Sequence, residues 1–274
     1  MTKFGVFILP NGEDPELAVA QATAADEAGL AYVGIQDHPY QRRYLDTWTL
    51  LSYLAARTER VKLLPDVINL PLRLPAVLAK SVASLDVLSG GRIELGIGAG
   101  AFWDAVAAMG GPKRTPGESV EALEEAMRII RSFLDMDSPS VRFRGGHYTV
   151  SGAKPGPAPA HRVGLWVGAY GPRMLRLTGR RGDGWLPSVG EHYLSVEDIA
   201  SRQAAIDEAA REAGRDPAGI VRAVNVGLDD PTAWLDADRL RTFAHDHRFD
   251  VVLVSPSSDE PVGFIRALGQ AVGR

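Results

Sequence analysis

Asp37 and His38 close the apolar run YVGIQDH and are followed at once by Pro39. A histidine titrates near neutral pH and can donate or accept a proton, and a neighbouring carboxylate can orient it or raise its pKa. Successive strand residues point to opposite faces, so Asp37 need not touch His38 directly. A second stretch, LSGGRIELGIGAGAFW over residues 88–103, places glycines at 90, 91, 96, 98 and 100. Gly98-x-Gly100 is followed by Ala101, Phe102 and Trp103, so the third glycine of a dinucleotide fingerprint is missing. Shifting the frame to Gly96-x-Gly98 puts Ala101 in that place, but away from the first strand-helix unit that the motif needs. A Walker loop also fails, because no Gly-Lys-Ser/Thr ending exists. What survives is a glycine-lined strand end where backbone can approach a flat or anionic ligand.

Other chemistries are excluded or weak. The chain has no cysteine, which removes thiolate metal sites, disulfides and a cysteine nucleophile, so redox chemistry requires a bound cofactor. His245 and His247 form a His-x-His pair with no third ligand in view, and no metal site is predicted. There is no GxSxG elbow. Aromatic residues Tyr40, Tyr44, Trp48, Phe102, Trp103, Tyr170 and Trp185 fall near predicted strand ends, where they suit a planar ligand or ordinary packing. The net charge of −4 and the absence of a basic patch argue against a nucleic-acid partner. The start, MTKFGVFILPNGEDPE, resembles neither a signal peptide nor a membrane span, and a cytoplasmic location is expected.

These residues must be held by the elements around them. KFGVFIL (3–9) predicts a buried strand, and PELAVAQATAADEAG a helix ended by Gly29. YVGIQDH with DTWTLLSYLAARTE repeats the pattern, as do RVKLLPDVINL with PAVLAKSVASLDVLSG, and RIELGIGAG with ESVEALEEAMRIIRSFLD (118–135). After this fourth helix, VRFRGGHYTVSGAKPGPAPA predicts a short inserted hairpin and a Pro/Gly-rich connection. LWVGAYG, WLPSV, IVRAVNVGL and DVVLVSP begin four further units. Eight strand-helix units in 274 residues with 45 % hydrophobic composition predict a single α/β domain, residues 1–274, closed as a (β/α)8 TIM barrel. In such a barrel the strand C-termini form the functional face, which is where Asp37-His38, Asn69, Gly98 to Gly100, Ala169-Tyr170 and Asn225 fall.

LPLRLPAVLAKSVASLDVLSGGRIELGIGAG, then EALEEAMRIIRSFL, then VRFRGGHYTV, then GRRGDGWLP resemble the ordered signature of the luciferase-like monooxygenase superfamily across essentially the whole chain. The resemblance implies a barrel that binds the deazaflavin coenzyme F420 or FMN at the strand C-termini as a homodimer, acting on a small molecule, with a separate reductase as a partner where reduced cofactor must be supplied. Asp37-His38 resembles the F420 branch, in which Asp37 contacts the coenzyme and His38 lies beside the reacting carbon as proton donor or orienter. Asn69 matches the third-strand end, where an unusual peptide linkage backs the ring. Ala99, Gly100 and Asp104 match the fourth-strand loop that approaches the coenzyme. Gly168, Ala169, Tyr170 and Arg173 match the loop and helix N-terminus that hold its phosphate. The sugar-phosphate dehydrogenases of the family carry a Glu where this chain has Ala101. The expectation is an F420-dependent oxidoreductase; the alternatives are an FMN-dependent monooxygenase using dioxygen and a flavin-binding barrel without turnover.

Overall fold

The computed structural model describes residues 1–256 and 259–273. Its strands are β1 (Lys3–Ile8), β2 (Tyr32–Ile35), β3 (Lys62–Pro65), β4 (Ile68–Asn69), β5 (Leu95–Gly98), β6 (Val141–Arg144), β7 (Thr149–Ala153), β8 (Leu165–Val167), β9 (Gly184–Trp185), β10 (Val221–Val226) and β11 (Val251–Val254). The helices are α1 (Pro15–Glu27), α2 (Thr47–Ala55), α3 (Pro75–Ser89), α4 (Trp103–Ala108), α5 (Pro116–Asp135), α6 (Pro172–Arg181), α7 (Ile199–Glu212), α8 (Ala237–Asp246) and α9 (Pro261–Val272). Nine strands run parallel in the order β3-β2-β1-β11-β10-β9-β8-β5-β4. A bridge between Leu63 and Ile93 joins β3 to the segment entering β5 and closes the barrel. β3 and β4 are two halves of one barrel strand, broken at a cis Asp66–Val67 peptide, so the eight predicted units are all present. The inserted hairpin is the antiparallel pair β6-β7.

Local sequence explains the element ends. Asp14 and Asp46 cap α1 and α2 with their carboxylates, and Thr115 with Glu118 forms a capping box at α5. Gly90 ends α3 in the left-handed region at φ 70°. The fourth unit departs from the prediction by adding the short helix α4 before α5. Of the two roles open to Trp185, it takes packing: it is fully buried, donates to the Ala169 carbonyl at 2.9 Å and stacks on Phe249, so it packs the core rather than walling the mouth. No helix among the described residues is long and apolar enough to cross a membrane.

Charge pairs gather at the strand N-termini. Glu94 accepts from Lys62 Nζ at 2.6 Å and from the Gly164 amide at 2.7 Å, while Asp183 binds Arg131 and Arg162. Each buried carboxylate thus has donors, as stability requires, and this end is structural. His161, placed by its sequence only in a Pro-rich connection, lies between Asp86 and Glu94 in this cluster.

Candidate active site

The opposite end gathers the predicted polar residues. The segment carrying Asp37 and His38 is held on both sides. Thr47 donates to the Gln36 carbonyl at 2.5 Å, and the following loop is strapped to the exit of β1 through Gly12 N to Arg43 O at 2.6 Å and Leu45 N to Pro10 O at 2.7 Å. Asp37 is buried and accepts the Asn69 amide at 2.8 Å and two bonds from Arg73, at 3.3 and 3.2 Å. Arg73 also reaches the α2 cap Asp46 at 2.7 Å. Asp37 therefore fixes β2 to β4 and to the start of α2, and it does so through the backbone of the predicted site residue Asn69.

His38 sits half-buried beside it. Its Nδ1 lies 2.5 Å from the Tyr40 hydroxyl, and its ring meets Tyr40 and Phe102 edge-on, with centroids 5.4 and 5.5 Å away. Burial lowers the His38 pKa, and the charge of Asp37 offsets this only in part, so the imidazole is neutral at pH 7. Tyr40 is pushed up to about 12 by burial first and by the charge of Asp37, with the Asn69 side chain opposing. It stays a phenol whose hydroxyl can either give a hydrogen bond to Nδ1 or take one from it. The tautomer of His38 can follow, leaving Nε2 able to present or accept a proton.

Val67 accounts for two of the glycines at this end of the barrel. A Cβ on Gly98 would lie 2.8 Å from Val67 Cγ2, and one on Gly168 would lie 3.1 Å from it. Val67 follows the cis bond, so the unusual linkage lies at Asp66–Val67, three residues before the predicted marker Asn69. Gly100 has φ 98° and a Cβ there would strike Pro71 at 2.5 Å. Ala99 and Gly100 directly follow β5. Asp104 instead lies exposed in the first turn of α4, paired with Lys113 at 2.5 Å. Gly168, Ala169 and Tyr170 lead to α6, whose cap Gly171 brings no side-chain bond, leaving the helix N-terminus free for an anion. Arg173 is exposed there and bonded to Glu121 at 3.2 Å.

The model of the luciferase-like monooxygenase family matches residues 2–247. The chain belongs to this family. Among its relatives, a 5,10-methylenetetrahydromethanopterin reductase of Methanolobus tindarius is 35 % identical over 222 residues, 78 % of this chain and 61 % of that protein. An F420-dependent glucose-6-phosphate dehydrogenase of Gordonia bronchialis is 32 % identical over 240 residues, 84 % of this chain and 70 % of that one. This luciferase-like chain thus spans roughly two thirds of the length of these curated relatives, and less than that of the first. An F420-dependent secondary alcohol dehydrogenase in complex with an F420-acetone adduct superposes with TM-score 0.85 over 99 % of both chains at 19 % identity, which establishes the shared barrel.

Two groups of this luciferase-like site escape sequence reasoning. Arg73 lies in an apolar-looking LPLRLP run, and only the fold aims it at Asp37. Asp66 carries a readable signal, the single charge inside the largely apolar LLPDVINL, and the structure buries it in the barrel interior. Replacing Arg73 by Met should leave the Asp37 carboxylate with a single backbone donor and cost about 3 kcal/mol, measured by urea unfolding at pH 7. A loss below about 0.5 kcal/mol would mean that the pair is merely a surface contact.

Proposed function

We propose that this chain is an F420-dependent oxidoreductase that moves hydride between the deazaflavin and a carbonyl, imine or activated alkene of a small organic substrate. The observation that carries it is the seat of His38: half-buried at the mouth, bonded through Nδ1 to Tyr40, with Nε2 making no hydrogen bond among the described residues. The relatives named as F420-dependent enzymes support the choice of coenzyme. The site fits such a ring on its own evidence. Among the described residues the buried acceptors Asn69 Oδ1 and Asn225 Oδ1 have no hydrogen-bond partner, and Gly98 and Gly168 pack closely against the apolar Val67.

Bound F420 supplies a carbon that gives or takes hydride. His38, neutral at pH 7, accepts the hydroxyl proton as a substrate alcohol is oxidised and returns it in the reverse direction. Asp37 acts on the ring by fixing Asn69 and the β2 end, and the α6 N-terminus with Gly168, Ala169 and Tyr170 receives the phosphate; Asp104 stands at the outer rim with Lys113. Sugar phosphates are disfavoured as substrates, because position 101 offers no acid. The family homodimer is part of the same proposal: Leu74, at the N-cap of α3, and Val77 and Leu88 within it lie exposed, where a second copy would cover them.

Parallel fluorescence titrations with F420 and with FMN test the coenzyme. Micromolar F420 binding with much weaker FMN binding is expected. The reverse order, together with oxygen uptake in the presence of reduced FMN, would establish the monooxygenase alternative instead.

A further inference from the structure

Asp66 is fully enclosed in the barrel interior, and no part of the proton transfer assigned to His38 uses it. Its Oδ1 accepts from Asn225 Nδ2 at 3.0 Å, while Oδ2 is buried without a partner among the described residues. That free oxygen stands over β2, where a Cβ on Gly34 would lie 2.7 Å from it and 3.2 Å from Leu253. Only a glycine in β2 leaves room for the carboxyl. The surrounding elements bring no cation: β2 presents Gly34, β11 presents Leu253, and β10 presents the neutral Asn225. The titratable group that senses Asp66 across the mouth is the Tyr170 phenol, itself raised by burial first, with Asp66 adding to the rise. Asn225 Nδ2 lies 3.3 Å from Ser188 Oγ, and the Ser188 amide donates to the Tyr170 hydroxyl at 2.9 Å. A chain of polar groups thus runs from a sealed carboxyl to the wall residue Tyr170.

An ionised carboxylate with one hydrogen bond in an apolar enclosure is costly, and a neutral acid is not. Burial, opposed only by the Asn225 bond, raises the pKa of Asp66 to about 7. The free Oδ2 is the oxygen that carries the proton, since Oδ1 is already an acceptor. Resting on the coenzyme reading above, we propose that Asp66 is a positioning residue which, while uncharged, holds the Asn225–Ser188–Tyr170 chain beneath the bound coenzyme, and whose ionisation weakens binding of that anionic ligand. The coenzyme is anionic through its phosphodiester and its acidic ring hydroxyl, so a bare charge in the barrel floor opposes it in a medium of low dielectric.

The test compares wild type with Asp66→Asn, which keeps the shape and the acceptor but cannot ionise. F420 affinity is measured by fluorescence for both proteins from pH 5.5 to 8.5. The ratio of the two dissociation constants removes the titrations of the coenzyme and of His38, which both proteins share. The ratio is expected near one at pH 5.5, with Asp66→Asn binding about tenfold tighter at pH 8.5. A ratio that stays constant with pH overturns the proposal. Unliganded Tm values give an arm that does not depend on the coenzyme. A carboxyl whose folded pKa exceeds its unfolded value of 3.8 contributes stability below that unfolded value and loses it as pH rises towards 7. Asp66→Asn should therefore gain on wild type by about 5 °C between pH 4 and 8. No widening gap means that Asp66 is ionised throughout and overturns the proposal. A widening gap with no F420 binding by either protein keeps the buried acid but defeats the coenzyme reading, and with it the coupling. Should Asp66→Asn not fold, the infrared carbonyl stretch of a protonated buried carboxyl in wild type at pH 6, lost by pH 9, serves in its place; its absence at pH 6 overturns the proposal.

Discussion

His38→Ala lowers kcat for F420-linked hydride transfer by about a hundredfold or more, the usual contribution of a positioned acid or base, with little change in KM or in Tm. The split is expected because His38 moves a proton only as the hydride moves, and because its half-buried ring packs against Tyr40 and Phe102 without supporting the core. The pH dependence sharpens the test. Burial lowers the His38 pKa below the ordinary 6.5, so alcohol oxidation, which needs the neutral imidazole, stays level above that pKa and declines as pH falls through it. The declining limb disappears in His38→Ala. A variant that keeps its turnover, or keeps the acid limb, removes His38 from proton transfer. Tyr40→Phe should retain more activity than His38→Ala, since it loses the tautomer partner and keeps the base.

Gly96→Ala is expected to destabilise the protein by about 3 kcal/mol, lowering Tm by about 5 °C, as read by calorimetry. Gly96 lies in the centre of β5, and a Cβ there would stand 2.0 Å from the Pro65 carbonyl oxygen and 3.2 Å from Val67 Cγ1. The obstacle is backbone at the point where β3 and β5 close the barrel, so a side-chain rotation cannot relieve it. Gly171→Ala is the matched control. Its added Cβ meets nothing within 4 Å, and its φ of −79° suits any residue, so its Tm should change little. A Gly96→Ala protein as stable as that control would mean that the barrel seam yields freely.

Sequence alone determined the barrel, because hydrophobic period and helix-ending residues are local properties repeated eight times: β1 and α1, β2 and α2 and the long amphipathic α5 all stand close to where composition and capping put them. It also placed Asp37 and His38 at the functional face, since in a parallel barrel every strand C-terminus emerges on one side. Those same local signals are silent on pairing across the barrel. They could not show that the Asp37 carboxylate is spent on Asn69 and Arg73, that Asp104 turns outward to Lys113, or that Trp185 belongs to the core. Nor could they join Asp66 to Asn225, 159 residues apart. Such contacts are set by the angle at which each strand enters the closed sheet, and desolvation, which decides whether His38 is neutral and whether Asp66 keeps its proton, exists only once that sheet has closed. The glycines of LSGGRIELGIGAGAFW show both sides of this division: their spacing announces a strand with an open end, and only the packing of Pro65 and Val67 against Gly96 and Gly98, and of Pro71 against Gly100, explains why no other residue fits there.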